Sequence, residues 1–469
     1  MAIWSPPRPS TTGAGGLDRY FHITERGSTV RTEVIAGAAT WLTMSYILFV
    51  NPSILGALAD KDGTKLATPE VAAVTALVAG VMTILMGIYA NYPFAIAAGL
   101  GLNAFVAFTL VGVFGLTWPQ AMGVIVWEGL VITLLVLTGF RELVMNAIPM
   151  DLKRAIGVGI GLFIAFIGLV NAGIVVHPEG GSPIVTLNPD MTNFHILVFA
   201  IGMAITMTLV SRKVKGALLA GIILTTIAAA IINAGWGHNT LYPPGVAELP
   251  DKIASSPSLG LIGNFTLSLK GIGFATAIAL VLSVMLSDFF DTMGTVVGIA
   301  GEAGLLDKDG KLPGVNRVLL VDSLAAAAGG AASSSSNTTY IDSAAGVSEG
   351  GRTGLTAVVV GVLFLLSLFF SSWAGVIPTE ATAPILVVVG YFMMRTVKDI
   401  NFTDPAIGIP ALLTIIVQPF TFSITNGVGA GFIAYTVIRI LQGKFKEVHP
   451  LMYVVSAVFA WYFVRGLLA

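Results

Sequence analysis

The chain has 469 residues, of which 55% are hydrophobic and 10% are charged. Soluble domains carry about 25% charged residues, so this composition excludes an ordinary soluble protein. The net charge of −1 argues against a nucleic-acid-binding surface, and the lack of cysteine excludes disulfides and thiolate metal sites.

Apolar runs of about 20 residues, long enough to cross a bilayer as helices, follow a polar leader and recur along the chain. The runs are continuous rather than alternating, which favours helices over a β-barrel, since backbone groups in lipid must be bonded internally. The sequence therefore predicts an all-α polytopic membrane protein with fourteen spans. In chain order the predicted spans are 33–51, 70–90, 94–113, 119–138, 154–175, 194–211, 215–235, 272–299, 315–331, 337–350, 353–372, 381–397, 405–424 and 426–442.

A further apolar run, 449–466, closes the chain. It has no counterpart in a scheme of fourteen spans. It is expected either to cross the membrane or to lie at the membrane surface as a helix, and the second arrangement is favoured.

Lysine and arginine are distributed unevenly between the two sides of the predicted membrane layout. With the N-terminus in the cytoplasm, most of the 24 Lys and Arg residues lie in the leader and in loops that follow even-numbered spans. The bias persists only if both irregular spans, 94–113 and 337–350, cross or nearly cross the membrane. The pattern predicts a multi-pass protein of the cell membrane with a cytoplasmic N-terminus.

Fourteen spans divide into two halves of seven, and an odd number of spans inserts the second half with inverted orientation. The third span of each half is rich in small residues and contains an asparagine: "AAGLGLNAF" and "SSSSNTTYID". Glycine and serine interrupt a helix, and a helix that begins inside the membrane leaves its first N–H groups free for a polar ligand. Irregular segments at corresponding positions of two halves point to a transporter binding site. The alternative is that both segments only pack helices tightly.

Acidic residues inside spans are costly, by roughly 2.5–3.5 kcal/mol each at a helix centre, so each needs a reason. Asp288 and Asp291 lie on the eighth span and share a helix face with Thr292, while Asp342 lies in the tenth span. No Lys or Arg lies centrally in any predicted span. A buried carboxyl can accept hydrogen bonds from substrate N–H groups, or it can carry a proton across the membrane.

A role in a binding site is favoured for Asp288 and Asp342, and Asp291 is equally compatible with a structural role. For Glu128 and Asp322 the favoured interpretation is a structural hydrogen bond between helices.

Three other classes of membrane protein remain as alternatives. A channel would line its pore with repeated rings of charge or carbonyl groups, whereas the acids here are few and clustered. An anion carrier would need a basic or neutral site. A membrane enzyme would need a nucleophile–base pair or a metal cluster, and the sequence has neither pattern.

Five segments carry a pattern specific enough to indicate a family. They read "TEVIAGAATWLTMSYILFVNPSIL", "AAGLGLNAF", "SDFFDTMGTVVGIAGEAGL", "SSSNTTYIDSAAGVSEGGRTGLTAVV" and "PALLTIIVQPFTFSITNGVGAGFIAY". In these segments the chain resembles the AzgA-like purine permeases, which carry hypoxanthine, adenine and guanine. They belong to the nucleobase–cation symporter (nucleobase–ascorbate transporter) superfamily. The similarity is collinear over about residues 20–450.

The resemblance implies two intertwined inverted repeats of seven spans, arranged as a core domain and a gate domain. Spans three and ten would each hold a short strand followed by a half-helix. Substrate would bind between core and gate, and the core would shift like an elevator with proton symport. The ranges are 1–32 for a cytoplasmic leader, 33–138 and 272–372 for the core, 151–235 and 381–442 for the gate, 236–271 for an extracellular loop, and 443–469 for a C-terminal apolar segment.

The resemblance also implies a set of site residues. Asp288 would bind the base, Asp342 would make the second contact, and Asn103 would also lie at the site. The full set of expected purine contacts is Asp288, Asp342, Asn103, Phe289, Thr292, Ile341, Thr339 and Gly101. The expected proton-coupling residues are Asp288, Asp342 and Asp291, with no cofactor besides the proton and no enzymatic activity.

Two features distinguish the chain from branches of this superfamily. The AzgA-like branch usually has Glu after "TTYI", where this chain has the shorter Asp342. The xanthine and uracil branch has a Q/E-N-x-G motif where this chain reads "DSAAG". This difference favours the purine bases hypoxanthine, adenine and guanine over uracil, xanthine or urate. A uracil or xanthine permease and an anion carrier of the same fold remain the alternatives. Related folds suggest a homodimer through the gate.

Overall fold

The computed structural model describes residues 16–138, 147–178, 184–236, 240–248, 253–268, 273–307 and 312–468. Some sequence predictions fall outside these residues. They concern the first part of the leader (1–15), parts of the predicted extracellular loop 236–271, and basic loop residues at 139–146 and 308–311.

Helices make up most of the described chain, with two pairs of short strands. The elements of the first half are α1 (Gly16–Phe21), α2 (Val30–Met44), α3 (Ile47–Leu55), α4 (Thr68–Leu85), β1 (Ile96–Ala98), α5 (Leu100–Ala104), α6 (Trp118–Thr138), α7 (Met150–Asn171), β2 (Val175–Val176), β3 (Thr186–Leu187), α8 (Phe194–Ser211) and α9 (Ala217–Gly235). Wider π-helical turns at Met86–Ala90 and Phe105–Val113 extend α4 and α5.

The second half is also mainly helical, with one short strand. Its elements are α10 (Phe274–Glu302), α11 (Val315–Ala331), β4 (Asn337–Thr339), α12 (Ser343–Ser348), α13 (Gly354–Ser367), α14 (Thr379–Met394), α15 (Pro405–Phe420), α16 (Ile424–Leu441) and α17 (Pro450–Leu468). Three 3₁₀ segments extend or connect these helices: Leu368–Gly375, Arg395–Asp399 and Phe445–Glu447.

Ten helical segments of the described chain are long and apolar enough to cross a membrane. Three shorter apolar helices accompany them: Leu100–Val113, Pro405–Phe420 and Pro450–Val464. These lengths and compositions confirm a helical polytopic membrane protein.

The two irregular segments of the sequence come together in an antiparallel strand pair. Ile96 pairs with Thr339, and Ala98 pairs with Asn337. The Gly99 N–H donates to the Ser336 carbonyl at 2.9 Å, which extends the ladder by one bond. A short helix follows each strand, α5 after β1 and α12 after β4. The polar stretch in the second half is therefore a buried strand and half-helix, and it is not a surface loop.

The serine run before β4 forms a tight buried turn. Ser333 and Ser335 adopt left-handed backbone conformations with φ of 58° and 71°. Such conformations cost on the order of 1 kcal/mol each in non-glycine residues, so surrounding contacts must hold them. Asn337 supplies some of these contacts, because its Nδ2 donates to Ser334 Oγ at 3.0 Å and to the Ser335 carbonyl at 3.1 Å.

Helix α10 contacts both irregular segments. It packs against β4, α5 and α12, and on its other sides against α6, α7, α16 and α17. An acid on α10 can therefore meet both half-helices, as a binding site between them requires.

The C-terminal helix α17 packs against α16 and α10. Its Met452 and Phe459 side chains are buried in the main hydrophobic core. The Tyr462 hydroxyl donates to Asn426 Oδ1 at 2.9 Å. The final apolar run is thus an integral part of the helix bundle.

Candidate substrate site

The predicted site residues lie on three elements that meet at one junction. Helix α10 carries Asp288, Phe289, Asp291 and Thr292, and it packs against both the α5 and the β4–α12 segments. Gly101 and Asn103 lie on α5. Thr339 ends β4, and Ile341 and Asp342 lie between this strand and α12.

Asp288 and Asn103 are buried polar side chains whose polar atoms have no hydrogen-bonding partner in the described part of the chain. Asp288 is 1% exposed and Asn103 is 0% exposed. Both carboxyl oxygens of Asp288, and both Nδ2 and Oδ1 of Asn103, lack a partner among the described residues. Buried polar atoms in folded proteins are nearly always hydrogen-bonded. These atoms are therefore available to a polar occupant of the junction.

The Glu128 carboxyl and the Thr338 hydroxyl lie beside Asp288 without the geometry of an ordinary hydrogen bond. Glu128 is fully buried on α6, where its Oε1 accepts from Ser336 Oγ at 3.3 Å. Its Oε2 has no partner among the described residues. The interpretation favoured from sequence is a structural hydrogen bond of Glu128, and the contact with the segment before β4 agrees with it. Glu128 also lies next to Asp288.

Asp322 on α11 is buried and accepts three hydrogen bonds. The Thr339 N–H and Thr339 Oγ1 each donate to Asp322 Oδ1 at 2.7 Å. Thr292 Oγ1 donates to Asp322 Oδ2 at 2.8 Å. Asp322 thus binds the strand β4 to α10, in agreement with the structural role favoured from sequence. Thr292 and Thr339, expected to contact substrate, already use their hydroxyls in this network.

Asp342 occupies the position before α12, and its side chain makes no capping hydrogen bond to that helix. It is half-buried, and it interacts with the buried Tyr46 phenol near the start of α3. The neighbouring Ile341 is 58% exposed, and Asp291 is exposed as well. Asp342 and Asp291 therefore lie toward an accessible side of the junction, whereas Asp288 lies at its buried side.

Tyr46 is a neighbour of Asp342 that the sequence analysis does not predict. It lies within the apolar segment "SYILF", where a tyrosine looks like part of a membrane span. Tyr46 lies between α2 and α3, and the packing of α2 against α12 places its phenol next to Asp342.

Aromatic side chains meet the extension of α5. The Phe422 ring lies 5.5 Å from the Phe163 ring and 6.5 Å from the Phe108 ring, both edge-on. Thr109 Oγ1 donates to the Phe422 carbonyl at 2.9 Å. The segment that carries Asn103 therefore contacts the α15–α16 connection. Phe289, one of the expected purine contacts, is buried in the main hydrophobic core.

The junction has a negative or neutral character. The sequences of α5, α6, α10, β4 and α12 contain no Lys, Arg or His. Among the described residues, no group of three or more His, Cys, Asp or Glu side chains is arranged to hold a metal ion. The available groups are carboxyls, an amide and hydroxyls, which suit a neutral ligand with N–H donors.

A separate crevice of about 660 Å³ lies between α2–α3, α9 and the Leu368–Gly375 segment. Its lining is mostly apolar, with Trp41, Phe49, Ile223 and Phe370 among the lining residues. None of the predicted site residues lines it. This crevice lacks the converging polar groups that a site for a polar ligand requires.

Solved structures share the architecture of this chain. The transmembrane domain of the cyanobacterial bicarbonate transporter BicA matches with a TM-score of 0.61 at 13% identity, over 86% of this chain and 97% of that one. The murine anion transporter Slc26a9 in an inward-facing state matches with a TM-score of 0.60 at 11% identity, over 93% and 74%. At these identities the likeness shows the fold alone.

Curated relatives are closer in sequence. The adenine permease AdeP of Escherichia coli is 40% identical over 96% of this chain and 96% of its own length. The guanine/hypoxanthine permease PbuG of Bacillus subtilis is 39% identical over 96% and 99%. Both relatives are permeases and not enzymes.

The family model Xan_ur_permease, described as "Permease family", matches residues 31–427. This match and the relatives confirm the resemblance drawn from the five sequence segments. The chain is a multi-pass membrane protein that belongs to this permease family.

Proposed function

We propose that the protein takes up purine bases, namely hypoxanthine, adenine or guanine, by symport with protons. The names of the relatives AdeP and PbuG support the substrate class. The composition of the junction supports it independently, since purines are neutral, flat and polar along their edges.

The unpaired atoms of Asp288 and Asn103 carry this proposal. A purine ring presents N–H donors and ring nitrogen or carbonyl acceptors on one edge. Asp288 supplies acceptors for the N–H groups, and the Asn103 amide supplies one donor group and one acceptor. A base bound there would satisfy the four buried atoms that have no partner among the described residues.

Asp342 makes the second contact in this proposal. Its carboxyl is one methylene shorter than the Glu that is usual in the AzgA-like branch, so its distance to the base would be greater. The N–H groups near Ile341 and Gly101 would act as further donors. Thr292 and Thr339 would act mainly by holding Asp322 and the strand β4 in place.

The transport cycle in this proposal is an elevator-like movement. Residues 33–138 and 272–372 form the core, and residues 151–235 and 381–442 form the gate, with fourteen spans in two inverted repeats and a cytoplasmic N-terminus. An ion pair between Lys215, just before α9, and Glu349, at the end of α12, links the two parts. Such a contact would have to break or re-form as the core moves. A homodimer through the gate stays a prediction.

The fold neighbours named as bicarbonate and anion transporters raise an anion as the rival substrate. An anion needs a positive or neutral site, whereas four carboxyls (Glu128, Asp288, Asp291 and Asp322) interact within this junction. Uracil and xanthine are the rival substrates within the family. One uptake experiment distinguishes the proposed purines from these rival substrates.

The experiment uses the purified protein in liposomes with an imposed inward proton gradient. Radiolabelled hypoxanthine, adenine, guanine, uracil, xanthine and bicarbonate are compared with and without a protonophore. We expect concentrative uptake of at least one of the three purines, abolished by the protonophore. Uptake restricted to uracil, xanthine or bicarbonate, or purine uptake driven only by a sodium gradient, would contradict the proposal.

A further inference from the structure

Glu128 is a buried acid that the proposed site leaves unused. It lies in the middle of α6, on the side that packs against α10, and its side chain is fully buried. Ser336 Oγ donates to its Oε1 at 3.3 Å, while Oε2 has no hydrogen-bonding partner among the described residues. A buried carboxylate oxygen without a donor is unfavourable, so Oε2 is a position for a bound proton or a proton donor.

Among the residues that the structure describes, the charged groups that interact with Glu128 and Asp288 are all acidic. Three acidic side chains interact electrostatically with Asp288: Glu128 on α6, Asp322 on α11 and Asp291 on α10 itself. Glu128 in turn faces Asp288 and Asp322. The Asp322 carboxylate has three donors from Thr292 and Thr339, so its negative charge is stabilised locally.

Positive charges on the other elements that pack against α10, or that carry the surrounding acids, lie at helix ends. Arg317 is in the first turn of α11, where its guanidinium stacks over the Tyr89 ring at 5.9 Å. Lys153 and Arg154 are near the start of α7, where Arg154 donates to the Asp399 carbonyl at 2.7 Å. Arg439 is in the last turn of α16, where it pairs with Asp404 and Glu447. None of these contacts brings a cation to the Glu128–Asp288 pair.

Two adjacent carboxyls in a buried site without a cation do not both ionise, because like charges repel strongly at low dielectric. Such pairs hold one proton between them and titrate as a unit. The unpartnered Oε2 of Glu128 and the unpartnered oxygens of Asp288 are the atoms between which that proton can be placed.

We propose that Glu128 and Asp288 share the coupling proton, and that Glu128 Oε2 keeps it while the base occupies Asp288. This inference rests on the proposed function. In the outward-facing empty site, which water can enter, the pair takes up one proton and then carries one negative charge. When the base binds, its ring N–H donates to the Asp288 carboxylate, and the proton resides on Glu128 as an O–H bond.

After the base leaves toward the cytoplasm and water enters the site, the O–H bond of Glu128 breaks and the proton passes to water. The hydrated empty pair then returns with both carboxyls ionised. One proton thus accompanies each base, and each cycle moves one positive charge inward. The base needs an ionised Asp288, and Asp288 is ionised more readily when the neighbouring Glu128 is protonated and neutral. Protonation of Glu128 and binding of the base therefore favour each other by linkage.

The test compares Glu128→Gln with the wild type in liposomes. Glutamine mimics the protonated acid in shape and hydrogen bonding but cannot release a proton. We expect Glu128→Gln to exchange internal for external base at a rate within about threefold of wild type. We expect it to lose accumulation driven by a pH gradient, and to bind base with an affinity that no longer varies with pH. The control Glu302→Gln, at the exposed end of α10, should behave as wild type.

Retained proton-driven accumulation in Glu128→Gln would overturn the inference while leaving purine transport intact. Loss of exchange together with accumulation in a correctly folded Glu128→Gln would also overturn it, since that pattern indicates a structural role. If the variant does not fold, calorimetry of base binding to wild type in two buffers of different ionisation enthalpy decides the matter. At a pH at which the empty pair is partly deprotonated, net proton uptake on binding supports the inference, and its absence contradicts it. A wild type that moves no purine would instead refute the proposed function.

Discussion

Thr339 donates both its backbone N–H and its hydroxyl to a single oxygen of Asp322, each at 2.7 Å. This pair of bonds fixes the end of β4 against α11, while Thr292 binds the other oxygen from α10. These bonds hold β4, α11 and α10, the helix that carries Asp288, in one geometry. Asp322 thus positions the site without contributing an unpaired atom to it.

Removal of the Asp322 carboxylate should destabilise the fold. Asp322→Ala removes the acceptor of the Thr339 N–H and hydroxyl, at about 1–3 kcal/mol each before relaxation, while Thr292 Oγ1 keeps Thr338 Oγ1 at 2.6 Å. We expect the unfolding temperature in detergent to fall by many degrees for Asp322→Ala and by much less for Asp322→Asn, which keeps one acceptor oxygen. Equal stability of Asp322→Ala and wild type would show that these bonds do not support the fold.

Asp288→Asn should separate binding from stability. A hydrogen bond to a charged group contributes about 1.5–3 kcal/mol, so the affinity for purine should fall by roughly 10- to 150-fold. The unfolding temperature without ligand should stay the same or rise, because the variant removes a buried acid that has no hydrogen-bonding partner among the described residues. Isothermal titration and thermal unfolding measure the two quantities. Asp291→Asn, on an exposed side chain, serves as the matched comparison and should change affinity less. Unchanged affinity in Asp288→Asn would rule out a direct contact with the base.

The ion pair between Lys215 and Glu349 offers a test of movement between α9 and α12. The chain contains no cysteine, so the double variant Lys215→Cys/Glu349→Cys introduces the only two thiols. A short thiol-reactive cross-linker should reduce purine uptake to background, because it fixes the core against the gate. Each single variant treated in the same way should retain uptake. Full activity of the cross-linked double variant would mean that the two elements move together.

Glycine at position 329 should be needed for the approach of the serine turn to α11. A Cβ atom there would lie 2.0 Å from the Ser335 carbonyl oxygen and 2.2 Å from Asn337 Nδ2. Gly329→Ala should therefore lower stability by about 1–3 kcal/mol through overpacking, and it should weaken base binding. Gly157→Ala is the control, since nothing lies within 4 Å of a Cβ at that helical position. The control should be neutral or slightly stabilising, as measured by thermal unfolding.

Composition and hydropathy sufficed to predict a helical membrane protein, because bilayer length sets the length of each span. The small-residue segments around Gly101 and Asn337 could also be located from sequence, since glycine and serine interrupt a membrane helix. The short strands Ile96–Ala98 and Asn337–Thr339 were implied by the family resemblance, as three residues carry no periodic signal.

Contacts between distant parts of the chain could not be predicted in this way. Glu128 and Asp288 lie on helices far apart in sequence, and only the packing of α6 against α10 makes them neighbours. The left-handed conformations of Ser333 and Ser335 also had no sequence signal, because neither residue is a glycine. Thr292 and Thr339 share a region with the acids, but their bonds to Asp322 depend on the register of β4.

The most direct measurement is a structure of the protein with hypoxanthine or adenine bound. The account predicts that the ring lies between α10 and α5, with a ring N–H within about 3.2 Å of an Asp288 oxygen and a polar ring atom at a similar distance from the Asn103 amide. A base bound elsewhere, with the atoms of Asp288 and Asn103 still unpaired, would contradict it.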